Sequence, residues 1–163
     1  MNGTYAVSGV RAVLAERIVD DAVVVCEDGV IAEIRPGGPA PPHAVDGAGA
    51  FCLPGLIDTH GDALEKECNP RPGTDFPLGF ALRSYESRLA GAGITTAYSG
   101  VRFNDGERGG WSLEASRAVC EALRARNVDP GVGIEHRILH RLDARSGAGL
   151  DAMLEVIDAL RWG

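Results

Sequence analysis

From residue 51 onward, short apolar runs alternate with segments whose apolar residues recur at helical spacing. The runs lie at 51–58, 94–98 and 131–140, and a helical pattern follows each of them. Strand followed by helix, repeated three times, predicts parallel strands joined by crossover helices. Because an open sheet of three strands leaves its edges and one face uncovered, we favour the front part of a larger (β/α)8 barrel over a small open α/β protein.

The first fifty residues carry a different, β-type pattern. The runs 22–26 and 30–35 are joined by Glu27-Asp28-Gly29, which favours a tight hairpin. The segment PGGPAPP that follows predicts a loop. So few strands bury too little apolar surface to fold alone. We therefore divide the chain into two incomplete domains, 1–50 and 51–163.

Composition and charge exclude several classes of protein. With 163 residues, 45% of them hydrophobic, the chain is long enough for a globular core and too apolar to be disordered. No stretch approaches the ~20 apolar residues of a membrane span, and residues 1–15 lack the pattern of a secretory signal. A net charge of −7 argues against a nucleic-acid partner. We expect a cytoplasmic protein with no membrane partner, whose four cysteines are reduced thiols.

The run 51–58 leads directly into His60-Gly61-Asp62, at the end of a predicted parallel strand. Parallel barrels keep their active sites at this end of their strands, and residues at i and i+2 of a strand point to the same side. An imidazole and a carboxylate there can bind one divalent metal ion. Asp62 can equally cap a following helix, with residues 65–67 as its solvated first turn.

A loop with two cations follows this motif. Lys66 is the only lysine of the chain, and Arg71 lies in the proline-rich turn NPRPG at 69–73. A stiff turn of this kind can present both side chains to an anionic substrate. Lys66 and Arg71 are therefore candidate substrate contacts.

The segment PGLIDTH at 54–60 resembles the entry into the first barrel strand of the amidohydrolase superfamily. Within that superfamily, the sequence from DTH to DFP is similar to the alpha-D-ribose 1-methylphosphonate 5-triphosphate diphosphatases of the C–P lyase pathway for phosphonate degradation. A His-x-Asp replaces the usual His-x-His in that family, and three further short motifs follow. In this chain the four motifs are His60-x-Asp62, Leu64-Glu65-Lys66, Arg71-Pro72-Gly73 and Asp75-Phe76-Pro77.

The resemblance implies a fold and a set of metal ligands. Residues 1–50 would be strands of a small β-sandwich, and residues 51–163 the first three βα units of a metal-dependent (β/α)8 barrel. The cofactor implied is a divalent metal, with zinc the first candidate, and His60 and Asp62 are its first-strand ligands. In this family the other ligands and the aspartate that serves as base come from later strands. The catalytic base of this chain is therefore unknown.

The resemblance also implies a reaction. The substrate would be a small phosphorylated molecule, the ribosyl methylphosphonate 5-triphosphate, which is hydrolysed to the 5-phosphate and pyrophosphate. A hydrolytic metal site needs three or four protein ligands. We therefore expect this chain alone to bind metal poorly and not to turn over substrate. A homo-oligomer stays open for the full-length form.

The segment EHRILHRLD at 135–143 is similar to another strand of this family. Its histidines, His136 and His140, share one face with Ile134 and Ile138 when residues are counted in steps of two. The isoleucines suit the helix-covered outside of a barrel, which argues against both histidines facing the pocket. Because it lies near the end of the strand, His140 is the better candidate for substrate contact, and His136 is either structural or part of the site.

The opposite face of the same predicted strand carries Arg137 and Arg141. A guanidinium there can contact a phosphate or form an ion pair with a carboxylate. The sequence leaves both roles open.

Two other functions stay open as well. An amidohydrolase that acts on C–N bonds would share the strand entry but usually carries His-x-His, and both Asp62 and the Arg-Pro-Gly loop count against it. A truncated or decayed gene product without activity is compatible with the same family, because 163 residues do not hold the later strands of the barrel.

Overall fold

A computed structural model describes residues 3–104, 111–129, 131 and 133–159. The chain divides into two compact units, Met1–Pro54 and Gly55–Gly163. Each unit is described by itself below. Whether either unit is an incomplete domain stays a prediction.

The first unit is one mixed sheet of five strands. In chain order the strands are β1 (Thr4–Val13), β2 (Ile18–Glu27), β3 (Val30–Pro36), β4 (Val45–Asp46) and β5 (Phe51–Cys52). The first three strands form an antiparallel meander, and the short strands β4 and β5 both pair in parallel with β1. Alternating residues of β1 and β2 form small apolar clusters on the two faces of the sheet, as period-two side-chain alternation requires.

The β2–β3 hairpin has the turn that its sequence predicts. Asp28 and Gly29 are its two central residues, with φ angles of 50° and 84°. Positive φ at both positions is the geometry of a type I′ turn, which aspartate followed by glycine adopts readily. The flanking residues Glu27 and Val30 pair directly across the two strands.

The strand expected at 51–58 is two separate strands, which corrects the sequence prediction. Phe51–Cys52 pairs with β1 in the first unit, and Leu56–Gly61 forms β6 in the second unit. Proline at position 54 has no N–H to continue a ladder. A Cβ atom at Gly55 would lie 2.1 Å from the Oγ1 atom of Thr95, so this position has room only for glycine.

The second unit alternates strands and helices, as the sequence predicts. Its strands β6 (Leu56–Gly61), β7 (Ile94–Phe103) and β8 (Glu135–Leu142) pair in parallel in that order. Helices α1 (Ala63–Cys68) and α2 (Leu78–Gly91) follow β6, α3 (Leu113–Asn127) follows β7, and α4 (Gly147–Ala159) follows β8. Among the described residues, no helix is long and apolar enough to cross a membrane.

Local signals set the ends of these helices. Ser112 is the N-cap of α3, and its side chain accepts a hydrogen bond from the backbone N–H of Ala115 at 3.1 Å. Helix α2 ends at Gly91, and Gly93 adopts a φ of 75° before β7 begins. The chain thus leaves the helix through a left-handed residue, where glycine carries no steric penalty.

The core of the second unit lies between one face of the sheet and its helices. Alternate residues of β7, namely Ala97, Val101 and Phe103, are fully buried against this core. The helices contribute apolar side chains that include Leu82, Tyr85, Val119 and Leu123. The opposite residues of β7, from Thr96 to Arg102, are only half-buried. The sheet therefore has a helix-covered face and an open face.

Helix α4 buries only part of its apolar side. The sequence places Leu150, Met153, Leu154, Ile157 and Leu160 on one side of this helix. Its buried residues are Gly149, Ala152 and Val156, Met153 is partly buried against the core, and Leu150, Leu154 and Ile157 are about 40–50% exposed. A Cβ atom at Gly149 would lie 2.5 Å from the carbonyl oxygen of Phe103, so the small residues allow the helix to approach the sheet closely. Leu160 lies outside the described residues.

A charged network ties α2, α3 and β8 together inside this core. Arg126 donates two hydrogen bonds to the Glu86 carboxylate, at 2.7 and 2.6 Å. The Nε2 atom of the fully buried His136 lies 3.0 Å from the same carboxylate. Asn127 also bonds both backbone groups of His136, at 2.7 and 2.8 Å. These bonds satisfy polar groups that would otherwise be buried without partners.

The contribution of this network to stability can be measured with Arg126→Ala. The Glu86 side chain is only 11% exposed, so losing its guanidinium partner leaves a poorly solvated charge. We expect the free energy of unfolding to fall by about 2–3 kcal/mol. In the matched control, Arg117→Ala removes an exposed pair with Glu155 and should cost at most about 1 kcal/mol. Equal losses in urea denaturation of the two variants would contradict this account.

The network also predicts a pH dependence of stability. Burial lowers the pKa of His136 below its ordinary value of 6.5, although Glu86 opposes this effect. Burial raises the pKa of Glu86, but the bonds from Arg126 and His136 outweigh burial and leave the pKa below 4.5. Below pH 6.5 the unfolded chain therefore takes up a proton at His136 before the folded chain does, and below pH 4.5 the same holds for Glu86.

The free energy of unfolding should accordingly decrease as the pH falls from 7.5 to 5.5. The variant His136→Gln should show a smaller decrease, because glutamine does not titrate. Some pH dependence should persist, since burial also lowers the pKa of His140. Urea denaturation at both pH values checks this prediction, and an unchanged slope in His136→Gln would count against it.

Candidate functional site

The predicted metal ligands lie at the carboxyl end of β6, immediately before α1. The Nε2 atom of His60 is 3.9 Å from the Oδ2 atom of Asp62, and the two side chains are 61% and 49% exposed. The Asp58 carboxylate accepts a hydrogen bond from the backbone N–H of His60 at 3.1 Å. The structure thus brings the imidazole and the carboxylate to one side of the chain.

Asp62 does not use its carboxylate as a helix cap. It occupies the N-cap position of α1, but its side chain makes no capping hydrogen bond. Instead, its Oδ1 atom accepts a hydrogen bond from the Nη1 atom of Arg141 at 2.6 Å. Of the two roles that the sequence leaves open for Arg141, the structure shows the ion pair.

This ion pair passes over the middle strand of the sheet at Gly100. Arg141 lies on β8 and Asp62 follows β6, with β7 between them. A Cβ atom at Gly100 would lie 2.6 Å from the Oδ1 atom of Asp62 and 3.1 Å from the Cδ atom of Arg141. Only glycine at this position leaves room for the two side chains to meet.

The donor set of His60 and Asp62 suits a divalent metal ion. An imidazole nitrogen and a carboxylate oxygen are both ligands that divalent ions such as zinc accept. The Oδ2 atom of Asp62 faces His60 while the Oδ1 atom holds Arg141. No group of three or more histidine, cysteine, aspartate or glutamate side chains that could hold a metal occurs in the described part of the chain. His60 and Asp62 thus offer one imidazole and one carboxylate donor that fit such an ion.

The two candidate substrate contacts that the sequence placed in one loop lie in different elements: Lys66 belongs to helix α1, because the helix continues to Cys68, and only Arg71 lies in the turn. Lys66 lines a pocket of about 310 Å3, together with Asp62, Glu65, Asn69, Arg102 and Arg141. Arg71 is not among the residues that line it. Its Nε atom donates a hydrogen bond to the Oγ1 atom of Thr74 at 3.1 Å, within the same exposed turn.

His140 lies on the helix-facing side of the sheet, not beside Asp62. Its ring stacks on that of the buried Phe103, with centroids 5.9 Å apart. Burial lowers the pKa of His140 below its ordinary value, which favours the neutral ring. His136 is fully buried on the same side. The face shared with Ile134 and Ile138 therefore carries both histidines, and a role of His140 in substrate binding stays a prediction.

Two residues of this region were missed by the sequence analysis, because it ended the second strand at residue 98. Strand β7 continues to Phe103, which places Arg102 on the open face at the carboxyl end of the sheet. Arg102 and Asn104 line a second pocket of about 410 Å3, together with Arg141 and residues 142–145. A period-two count continued to residue 103 would have found Arg102.

Comparisons with known proteins give two curated relatives. The chain is 32% identical over 132 residues to the alpha-D-ribose 1-methylphosphonate 5-triphosphate diphosphatase of Escherichia coli (strain K12), which covers 81% of this chain and 35% of that enzyme. It is 33% identical over 106 residues to the imidazolonepropionase of Salinispora tropica, which covers 64% of this chain and 25% of that enzyme. The chain thus spans about a third or less of the curated relatives it matches. No family model matches the chain.

Solved structures share the fold. The N-isopropylammelide isopropylaminohydrolase of Burkholderia multivorans matches with a TM-score of 0.56 and 22% identity, over 98% of this chain and 43% of that one. A dihydroorotase matches with a TM-score of 0.52 and 17% identity, over 96% of this chain and 40% of that one.

These matches agree with the observed order of elements. A β-sheet region comes first, and three βα units of an amidohydrolase barrel follow it. The pair His60-x-Asp62 lies at the end of the first of those strands. The chain belongs to the amidohydrolase superfamily and is similar, over 35% of that enzyme, to the alpha-D-ribose 1-methylphosphonate 5-triphosphate diphosphatase of E. coli.

Proposed function

We propose that this chain supplies the first-strand part of the active site of a metal-dependent diphosphatase. The substrate would be alpha-D-ribose 1-methylphosphonate 5-triphosphate, and the products its 5-phosphate and pyrophosphate. The observation that carries this proposal is the position of Asp62, which lies 3.9 Å from His60 and lines the smaller of two pockets that share Arg102 and Arg141. The E. coli relative, which has this activity in its name, supports the same assignment.

The residues of the site suit a highly anionic substrate. His60 offers a ring nitrogen and Asp62 a carboxylate oxygen on the same side of the chain. When bound there, a divalent ion such as zinc lowers the pKa of a water molecule and stabilises charge on phosphoryl oxygens. Lys66 lines the adjoining pocket, where its ammonium group would neutralise negative charge on the triphosphate.

His60 and Asp62 are fewer than the three or four ligands of a hydrolytic site. The catalytic base and the remaining ligands would come from barrel strands that correspond to the part of the E. coli enzyme that this chain does not match. We therefore expect turnover only where further barrel strands complete the site. The partner of the assembled enzyme would be a small phosphorylated molecule in the cytoplasm.

A second candidate is hydrolysis of a C–N bond in a cyclic substrate. The imidazolonepropionase relative, at 33% identity, favours it. Such a substrate carries less negative charge than a triphosphate and has less need of several cationic side chains around the metal ligands. The arginines at the pockets therefore support the diphosphatase over this alternative.

A chimera tests the proposed function directly. In it, this chain replaces the matching third of the E. coli diphosphatase, and pyrophosphate release from the ribosyl triphosphate is measured. We expect the chimera to be active, and His60→Ala or Asp62→Ala to reduce kcat/KM by about a hundredfold or more. The matched control, His43→Ala, removes an exposed imidazole of the first unit and should leave activity unchanged.

Three outcomes of this experiment would contradict the proposal. One is a chimera that is folded by circular dichroism but releases no pyrophosphate. Another is activity that persists in both the His60→Ala and Asp62→Ala variants. The third is hydrolysis of imidazolonepropionate without any of the triphosphate, which would support the C–N alternative instead.

A further inference from the structure

Two arginines stand side by side at the carboxyl end of the open sheet face. Arg102 of β7 and Arg141 of β8 are direct partners in the parallel register. Both are half-buried, and both line each of the two pockets at this end of the sheet. Like charges in directly opposed positions of neighbouring strands destabilise a sheet. The Asp62 carboxylate offsets this repulsion at Arg141, which leaves Arg102 as the arginine that a bound anion would stabilise.

The two guanidinium groups differ in how their charge is compensated. Arg141 is paired with Asp62, and on the far side of the second pocket Arg145 binds Asp143 through two hydrogen bonds, at 2.9 and 2.6 Å. Arg102 makes no side-chain hydrogen bond or ion pair with any residue that the structure describes. Arg102 therefore lines both pockets with a positive charge that no described carboxylate neutralises.

The pockets that meet at Arg102 and Arg141 have the size and chemistry for an extended ligand. The first has a volume of about 310 Å3 and contains Lys66 and Glu65. The second has a volume of about 410 Å3 and contains Asn104, which is 7% exposed and whose Oδ1 atom has no hydrogen-bond partner among the described residues. A buried acceptor without a partner suits a ligand hydroxyl.

We propose that Arg102 anchors a chain of phosphate groups across the two pockets, with Arg141 and Lys66 beside it. The site would take oligophosphates, and Asn104 would accept a hydrogen bond from a hydroxyl of the group that carries them. This inference rests on the proposed function, because it assigns the triphosphate of that substrate to a residue with no predicted role. Arg102 is thus a specificity-determining contact for the phosphate chain. Guanidinium groups suit this task because their planar donors match two phosphate oxygens at once.

Titration calorimetry with inorganic tripolyphosphate tests the site on the 163-residue chain without any need for turnover. We expect Arg102→Gln to weaken binding at least tenfold, which is about 1.4 kcal/mol, and Arg102→Lys to weaken it less. Because the like-charge pair is relieved, Arg102→Gln should be at least as stable to heat as the unmodified chain. A loss of affinity without a loss of stability separates a binding role from a structural one.

Arg137→Gln is the matched control. Arg137 lies on the same face of β8 and carries the same charge, but it lines neither pocket. We expect this variant to bind tripolyphosphate within about twofold of the unmodified chain, since exposed charges are screened by salt. Equal affinity of Arg102→Gln and the unmodified chain would overturn the proposal, as would an equal loss in Arg137→Gln.

The chimera distinguishes failure of this inference from failure of the proposed function. If the chimera hydrolyses the triphosphate and Arg102→Gln leaves its KM unchanged, the function stands and the phosphate site is wrong. If the chain binds tripolyphosphate through Arg102 but the folded chimera is inactive, the phosphate site stands and the function is wrong. If both are right, Arg102→Gln should raise KM at least tenfold and change kcat less.

Discussion

Backbone hydrogen bonds that pair β7 in parallel with β6 on one side and β8 on the other assemble the candidate site. Parallel pairing brings the carboxyl ends of all three strands to one edge, although 79 residues separate Asp62 from Arg141 along the chain. On the helix-covered face, the strands are held in place by the core packing of Ala97, Val101 and Phe103. The open face is left for polar side chains. The parallel direction of the three strands therefore determines which side chains meet at this edge.

Within that frame, the ion pair between Asp62 and Arg141 joins the metal ligands to the cationic pockets. One oxygen of Asp62 faces His60 and the other holds the guanidinium. Gly100 lies beneath both side chains and permits this arrangement. Three consecutive strands thus each contribute one part of a single charged surface.

Local rules predict much of the fold. The Asp28-Gly29 turn, the Ser112 cap and the strand–helix alternation all follow from interactions between residues close in sequence. The strand break has a local cause in Pro54, whereas the need for glycine at position 55 depends on Thr95, a residue of another strand. The exposure of the α4 leucines likewise depends on a distant contact, since close approach to the carbonyl of Phe103 favours small residues.

The candidate site also contains some residues that the sequence predicts and others that it does not. His60 and Asp62 could be predicted because they lie two residues apart and carry a recognisable motif. The role proposed for Arg102 could not be predicted without the strand register, because it depends on the pairing of Arg102 with Arg141. Likewise, the network of Glu86, Arg126 and His136 joins three elements and resolves His136 as a structural residue of the core. Sequence patterns indicate faces, whereas contacts between distant elements decide what each side chain does.

Nuclear magnetic resonance of the histidine rings, recorded while zinc is added in large excess over the 163-residue chain, tests the metal site most directly, because two ligands should hold the ion weakly but still detectably. The chain has four histidines, at positions 43, 60, 136 and 140. The account predicts that only the ring signals of His60 shift, and that Asp62→Ala weakens this response. A response at His43 equal to that at His60, or no response at His60 at all, would contradict the claim that this strand end carries the metal ligands.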